Sequence, residues 1–263
     1  MLLEVRNLTK VFTTGLLKRR EIVAVNNISF DVRSSEFLSL VGESGSGKTT
    51  AARMILKLLP PTSGSIMFEG KDVVSLKRLE ERRWYWKQVH GIFQDPYASY
   101  SPLHQIDRIL HQVFTLTGDS SSDRDSMVRG ALREVGLRPE DVLGKYPHEL
   151  SGGQRQRIMV ARCYMLKPKL ILADEPISMI DASTRASVLQ LFSKLREEYK
   201  TSLIFITHDL GLAYYVSDGI LIMYKGSIVE KGSPDEVMEH PHSSYTKRLR
   251  EDVPLLYKKW EGF

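Results

Sequence analysis

The chain has 263 residues, and 37 Lys+Arg against 32 Asp+Glu give it a formal net charge of +5. Hydrophobic residues make up 42% and charged residues 26%, which excludes intrinsic disorder, because enough apolar surface is available to offset the ordering entropy. No apolar run approaches the ~18–20 residues of a membrane-spanning helix. Met1-Leu2-Leu3-Glu4-Val5-Arg6 places charges where a signal peptide needs its apolar stretch, so a cytoplasmic protein is expected. The single cysteine, Cys163, excludes an internal disulfide and a cysteine-cluster metal site. In the helix-type run Ile158–Met165 it reads as a small buried hydrophobe.

In chain order, Leu3–Leu8 and Ala24–Val32 show the period-2 alternation of half-buried strands, and Glu36–Val41 reads as a more buried strand ending at Gly42. A glycine-rich loop follows, then a helix predicted over Thr49–Leu59 and stopped by Pro60-Pro61. From about Asp95 to Leu166 the texture changes. Ile106–Leu116, Arg124–Val135 and Gly152–Leu166 carry helical spacing, and glycines and prolines punctuate them. Trp84 and Trp86 read as packing where this helical insertion joins the core rather than as a base-stacking surface. The β/α pattern returns with the continuous apolar run Lys169–Glu175, an amphipathic helix carrying Val188, Phe192 and Leu195, and the strand Ser202–Thr207. Strands at Ile220–Tyr224 and Ser227–Glu230 follow. The polar, proline-bearing tail from Ser233 reads as an appendage to the core, and its His240-Pro241-His242 is assigned no metal.

Gly42-Glu43-Ser44-Gly45-Ser46-Gly47-Lys48-Thr49 fits G-x-x-x-x-G-K-[ST] at every fixed position and lies between a buried strand and a helix, as a phosphate loop must. Its glycines let successive backbone N–H groups turn inward toward phosphate, and the helix start adds partial positive charge. Lys48 is placed to reach the β- and γ-phosphates, and the Thr49 hydroxyl to coordinate Mg²⁺. The strand ending in Asp174-Glu175 sets a carboxylate at the carboxyl edge of the sheet. There Asp174 can hold Mg²⁺ through water and Glu175 can polarise the water that attacks the γ-phosphate. Leu150-Ser151-Gly152-Gly153-Gln154 makes a second anion-binding helix start, capped by Ser151. Two such starts in one chain are reconciled if the second serves a nucleotide held by a neighbouring subunit.

With these residues in place the chain resembles the ATP-binding cassette (ABC) ATPases, whose signature motif Leu150–Gln154 matches in full. The resemblance implies an α/β P-loop NTPase core with an N-terminal antiparallel β region, an inserted helical subdomain and a short C-terminal extension. The corresponding segments are 1–94 for the first part of the core, 95–166 for the helical subdomain, 167–232 for the second part of the core and 233–263 for the extension. ATP and Mg²⁺ are the implied ligands. Gln94 is similar to the family's Q-loop glutamine, which contacts Mg²⁺ and the attacking water. Ser178-Met179-Ile180-Asp181 is similar to the D-loop, with Ile180 where Leu is usual, and Asp181 joins the nucleotide-facing set. His208 is similar to the switch histidine at the γ-phosphate. Thr50, just past the loop, completes the phosphate contacts. Phe12 falls where an aromatic stacks on adenine, though as an isolated aromatic it reads equally well as core.

Asp95–Pro102, Tyr146-Pro147-His148-Glu149 and His240–Leu249 resemble the oligopeptide/dipeptide branch of ABC importers, with two extra serines before Tyr245-Thr246. That resemblance implies a peripheral subunit at the cytoplasmic face of the membrane. It would pair with a second ABC ATPase of the same or a homologous chain, work on two membrane permeases, and depend indirectly on an extracytoplasmic solute-binding protein. Oligopeptide, dipeptide, oligosaccharide and nickel all remain open as solute. Tyr97 and Tyr100 on the proline-stiffened segment after Gln94 read either as a permease-docking surface or as packing beneath the insertion. The alternative of a soluble ABC ATPase acting on nucleic acid is permitted by the net charge. It is disfavoured by one cassette, no heptad run and no cysteine pair, so no nucleic acid partner is expected.

Overall fold

The structure, a computed structural model, describes residues 1–14, 20–94, 103–118, 123–178 and 180–253. The expectations placed on Tyr97 and Tyr100 and on Met179 lie outside these residues.

Two sheets organise the chain. Strands β1 (Leu3–Thr14), β2 (Arg20–Val32), β4 (Ser63–Phe68) and β5 (Lys71–Asp72) form an antiparallel sheet in the order β2-β1-β4-β5. The second sheet is built on β3 (Phe37–Val41), β6 (Val89–Ile92), β7 (Leu170–Asp174), β8 (Ser202–Thr207), β9 (Gly219–Tyr224) and β10 (Ser227–Gly232). Its order is β10-β9-β3-β8-β7-β6, parallel except for the β9–β10 hairpin. Every residue of β3, β7 and β8 is buried, which explains their continuous apolar runs. Helices α1 (Lys48–Ile55) and α2 (Leu79–Gln88) follow the first strands. The middle supplies α3 (Ile106–Thr117), α4 (Arg124–Glu134), α5 (Pro139–Val142) and α6 (Gly152–Leu166). The last part supplies α7 (Ala182–Tyr199), α8 (Leu210–Val216), α9 (Pro234–Glu239) and α10 (Ser244–Glu251).

The parallel strands divide their side chains between two cores. Ile171, Ala173, Leu203 and Phe205 face the helical side with Phe114, Ile158 and Phe192, whereas Leu170, Leu172, Ile204 and Ile206 face α1 and the antiparallel sheet with Met54, Ile66 and Phe68. Each fully buried side chain of this size contributes about 1.5–3 kcal/mol of transfer free energy. Among the described residues no helix is long and apolar enough to cross a membrane.

Three details differ from the sequence expectation. Helix α1 stops at Ile55 rather than Leu59, because Lys57 turns left-handed (φ 56°) while Leu58 and Leu59 bond back to the Arg53 carbonyl. Trp84 and Trp86 do pack, but onto the antiparallel sheet and the end of α1. Trp84 lies 6.1 Å from Phe68, and the Trp86 indole donates to the Leu56 carbonyl at 3.0 Å. Over the described residues 233–253 the tail is no appendage. Val237 and Tyr245 join a third core with Val41, Leu210, Ile220 and Ile222. Cys163 is fully buried in α6, and burial pushes its thiol up to about 12.

Candidate nucleotide-binding site

Strand register delivers the candidate residues to one edge. Val41 pairs with Thr207 and Asp174 with Ile206, so the loops that begin at Gly42, His208 and Glu175 leave adjacent strands at the same level. That level is the carboxyl end of a parallel sheet, where this class of fold binds ligands.

The loop from Gly42 to Gly47 is wedged between two strands. A Cβ on Gly42 would stand 2.2 Å from the Met223 carbonyl oxygen, and one on Gly47 (φ 106°) 2.3 Å from that of Ala24, so neither position admits a side chain. The Ser46 carbonyl accepts from Gly226 N–H at 2.9 Å. Helix α1 then starts without an acidic residue in its first turn, which leaves its positive end free for an anion. Lys48 is 4% exposed, and its Nζ donates to the Gly42 and Glu43 carbonyls at 2.6 and 2.8 Å. Burial pulls its pKa down, against the opposing pull of Glu175, Asp174 and Glu43. Thr49 hydrogen-bonds Asp174, whose carboxyl is raised above the ordinary aspartate value chiefly by burial. The Thr49 bond opposes that rise and nearby Glu175 adds to it. A buried ammonium, a helix start without acid, a hydroxyl and a carboxylate together fit a triphosphate and a hard, oxygen-seeking cation.

Glu175 occupies the left-handed region (φ 46°), an uncommon conformation for a glutamate, held by its N–H bond to the Ile206 carbonyl at 2.9 Å. Its Oε1 lies 3.3 Å from His208 Nδ1. A cavity of about 700 Å³ opens here, lined by Glu43, Ser44, Gln94, Glu175 and His208. Phe12 stands near the tip of β1 and is 38% exposed, with Lys10 Nζ 5.2 Å from its ring centre. It therefore belongs neither to the core nor to this cavity wall. Gly45 is exposed, and Thr50 lies half-buried in α1.

The second anion-binding start lies elsewhere. Ser151 caps α6 by accepting from Gln154 N–H at 3.2 Å, while Gln154 Oε1 accepts from Ser151 N–H at 2.9 Å. Gly152 and Gly153 follow with no acid in the first turn, and a Cβ on Gly153 would meet Thr184 Cγ2 at 3.0 Å. Asp181 caps α7 through Thr184 N–H at 3.0 Å. These residues line a separate cavity of about 310 Å³ that shares no lining residue with the first. Sequence reasoning missed Asp209, Leu249, Asp252 and Val253 on the larger cavity and Tyr245 beside the phosphate loop. No local spacing places a tail helix there.

Fold and site together define a P-loop ATPase. Residues 25–178 match the family model described as ABC transporter, and the chain belongs to that family of ATP-binding cassettes. It is 39% identical over 263 residues to the oligopeptide transport ATP-binding protein AppF of Bacillus subtilis (98% of this chain, 80% of the relative). It is 44% identical over 255 residues to the dipeptide transport ATP-binding protein DppF of Lactococcus lactis (95% of this chain, 80% of the relative). The ATP-binding cassette MJ0796, solved as a dimer in a post-hydrolysis state with ADP and Pi, superposes with a TM-score of 0.80 at 27% identity, covering 89% of this chain and 99% of that one. The relatives are transport ATP-binding proteins, so the nucleic-acid alternative is not supported.

Proposed function

We propose that this chain is the ATP-hydrolysing subunit of a peptide importer, seated on the cytoplasmic face of two permeases supplied by an extracytoplasmic solute-binding protein. The names of its relatives support the peptide class. The observation that carries the mechanism is the separation of the two cavities: Ser151–Gln154 line one that shares no residue with the cavity walled by Glu43, Ser44, Gln94, Glu175 and His208. One chain thus offers a phosphate cradle and, elsewhere, a second phosphate-binding helix start. Two copies placed head to tail complete each cradle with the other's Ser151 and Gly153. The retention of Lys48, Asp174, Glu175, His208 and Ser151–Gln154 makes both sites of a homodimer complete.

Within the cradle, the Gly45–Thr50 backbone and Lys48 hold the β- and γ-phosphates, and Phe12 stacks on the adenine. Thr49, Asp174 and Gln94 would hold Mg²⁺, which supplies charge neutralisation on the phosphates when bound. Glu175 polarises the attacking water, and His208 steadies the Glu175 carboxylate and faces the γ-phosphate. Asp181 carries the contact between subunits. Segments 1–94 and 167–232 act as the nucleotide-binding body, and 95–166 and 233–263 as the helical and C-terminal parts.

The test is Glu175→Gln. The variant should bind ATP, hydrolyse it at least ~10²-fold more slowly, and accumulate as an ATP-dependent dimer by size-exclusion chromatography. Wild-type turnover in that variant would remove Glu175 from the role of base.

A further inference from the structure

We propose that Tyr245 is a positioning residue for the phosphate loop, which makes the C-terminal extension a working part of the ATP site; the inference rests on the ATPase reading above. The Tyr245 hydroxyl accepts the Glu43 N–H at 2.9 Å, across 202 residues of sequence. Its ring is 3% exposed and stacks on Tyr224 with centroids 4.2 Å apart. The start of α10 is itself fixed. The two Glu230 carboxylate oxygens accept His242 and Ser243 N–H at 2.7 and 3.0 Å, and Ser243 Oγ caps the helix by accepting Tyr245 N–H at 3.2 Å. The hydroxyl therefore reaches the loop from an anchored base.

The loop is held at both ends from this side. Tyr245 takes the N–H at Glu43. The turn directly after Tyr224 delivers Gly226 N–H to the Ser46 carbonyl. Between them Lys48 Nζ grips the Gly42 and Glu43 carbonyls. A lysine recruited to phosphate oxygens relaxes that grip, and the Tyr245 bond then keeps the entry of the loop in its cradle shape. Further along α10, Leu249 and the adjoining Asp252 and Val253 form part of the wall of the same cavity as Glu175 and His208. An anion-binding loop is effective when its N–H groups are oriented before the ligand arrives, because ordering them on binding subtracts from affinity.

Tyr245→Phe in the full chain removes the hydroxyl and keeps the stacked ring. The Kd for a fluorescent ATP analogue and the KM for ATP should both rise about three- to tenfold, the range one hydrogen bond supplies, with kcat at saturating ATP within about twofold of wild type. A bond that only stabilises the fold gives the opposite pattern, a lower melting temperature with Kd and KM unchanged, and that result overturns the proposal. Lys48→Ala separates this inference from the reading beneath it. Loss of ATP binding in Lys48→Ala together with wild-type Kd and KM in Tyr245→Phe overturns the role of Tyr245 alone. Undiminished ATP binding in Lys48→Ala overturns both.

Discussion

Glu175 and His208 meet side chain to side chain at the sheet edge, Oε1 to Nδ1 at 3.3 Å, although 33 residues separate them in the chain. The parallel pairing of β7 with β8 produces the meeting. Asp174 is in register with Ile206, so the first residue beyond β7 and the first beyond β8 emerge side by side. The left-handed backbone at Glu175 then turns its carboxylate across to the imidazole instead of continuing the strand. A histidine in that position can hydrogen-bond the carboxylate where it lines the cavity.

His208→Ala is therefore expected to lower kcat by about 10²-fold or more while leaving the Kd for ATP within about threefold. Phosphate release at saturating ATP, together with fluorescent-nucleotide titration, checks the split. An equal loss in both would place His208 in ground-state binding.

Ser151 caps α6 and, in the proposed dimer, faces a neighbour's γ-phosphate; one substitution separates the two. As the cap of α6 it satisfies the Gln154 N–H, and Ser151→Ala should lower stability by about 1 kcal/mol, seen as a fall of about 2–4 °C in melting temperature. As the residue presented to a neighbour's γ-phosphate it should also matter for closure. In the Glu175→Gln background, Ser151→Ala should therefore reduce the ATP-dependent dimer much further than a cap loss explains. Unchanged dimer formation with only the melting shift would limit Ser151 to capping.

The parts of this site that were legible in the sequence are those whose chemistry is contiguous. Gly42–Thr49 and Leu150–Gln154 each carry their own backbone geometry, and the buried runs that end at Val41, Asp174 and Thr207 announce a parallel sheet by continuous hydrophobicity. The six-stranded order was not legible, because β3 lies between β8 and β9 and local pattern says nothing about which distant strands pair. Tyr245 was hidden for the same reason: a polar, proline-bearing tail looks solvated until its aromatic ring is seen against Tyr224. The helix expected to Leu59 failed at Lys57, whose left-handed conformation has no marker in the residue type.

Phe12 carries a prediction that follows from exposure. At 38% exposed it contributes little to the core, so Phe12→Ala should leave the melting temperature nearly unchanged. Loss of an adenine stack of about 1–3 kcal/mol would raise the Kd for ATP by roughly five- to 150-fold, with kcat at saturation preserved. Calorimetric melting of the nucleotide-free chain measures the first effect, and isothermal titration with ATP measures the second.

At Asp174 the proposed cation-binding role and the stability of the fold pull in opposite directions. Burial, assisted by Glu175, holds its carboxyl pKa above the ordinary aspartate value of 3.8, even with the Thr49 hydroxyl and Lys48 acting the other way. The folded chain thus keeps this proton to higher pH than the unfolded chain does. Its stabilising effect is complete below the unfolded value and is lost as pH rises through the raised folded value, so at neutral pH the charged group opposes folding. Asp174→Asn removes the charge and retains an oxygen for Thr49. The nucleotide-free variant should melt higher than wild type at pH 7, by about 2–4 °C for each kcal/mol recovered, and the gain should shrink as pH falls toward 3.8. With ATP and Mg²⁺ the order should reverse. Wild type gains about 2.7 kcal/mol at a ligand concentration 100 times Kd, and a variant that has lost its cation-binding carboxylate gains far less. Chelation by EDTA should restore the original order. Melting curves across pH, with and without ATP, Mg²⁺ and EDTA, test each step, and an Asp174→Asn chain stabilised by Mg²⁺–ATP as fully as wild type would exclude Asp174 as the cation ligand.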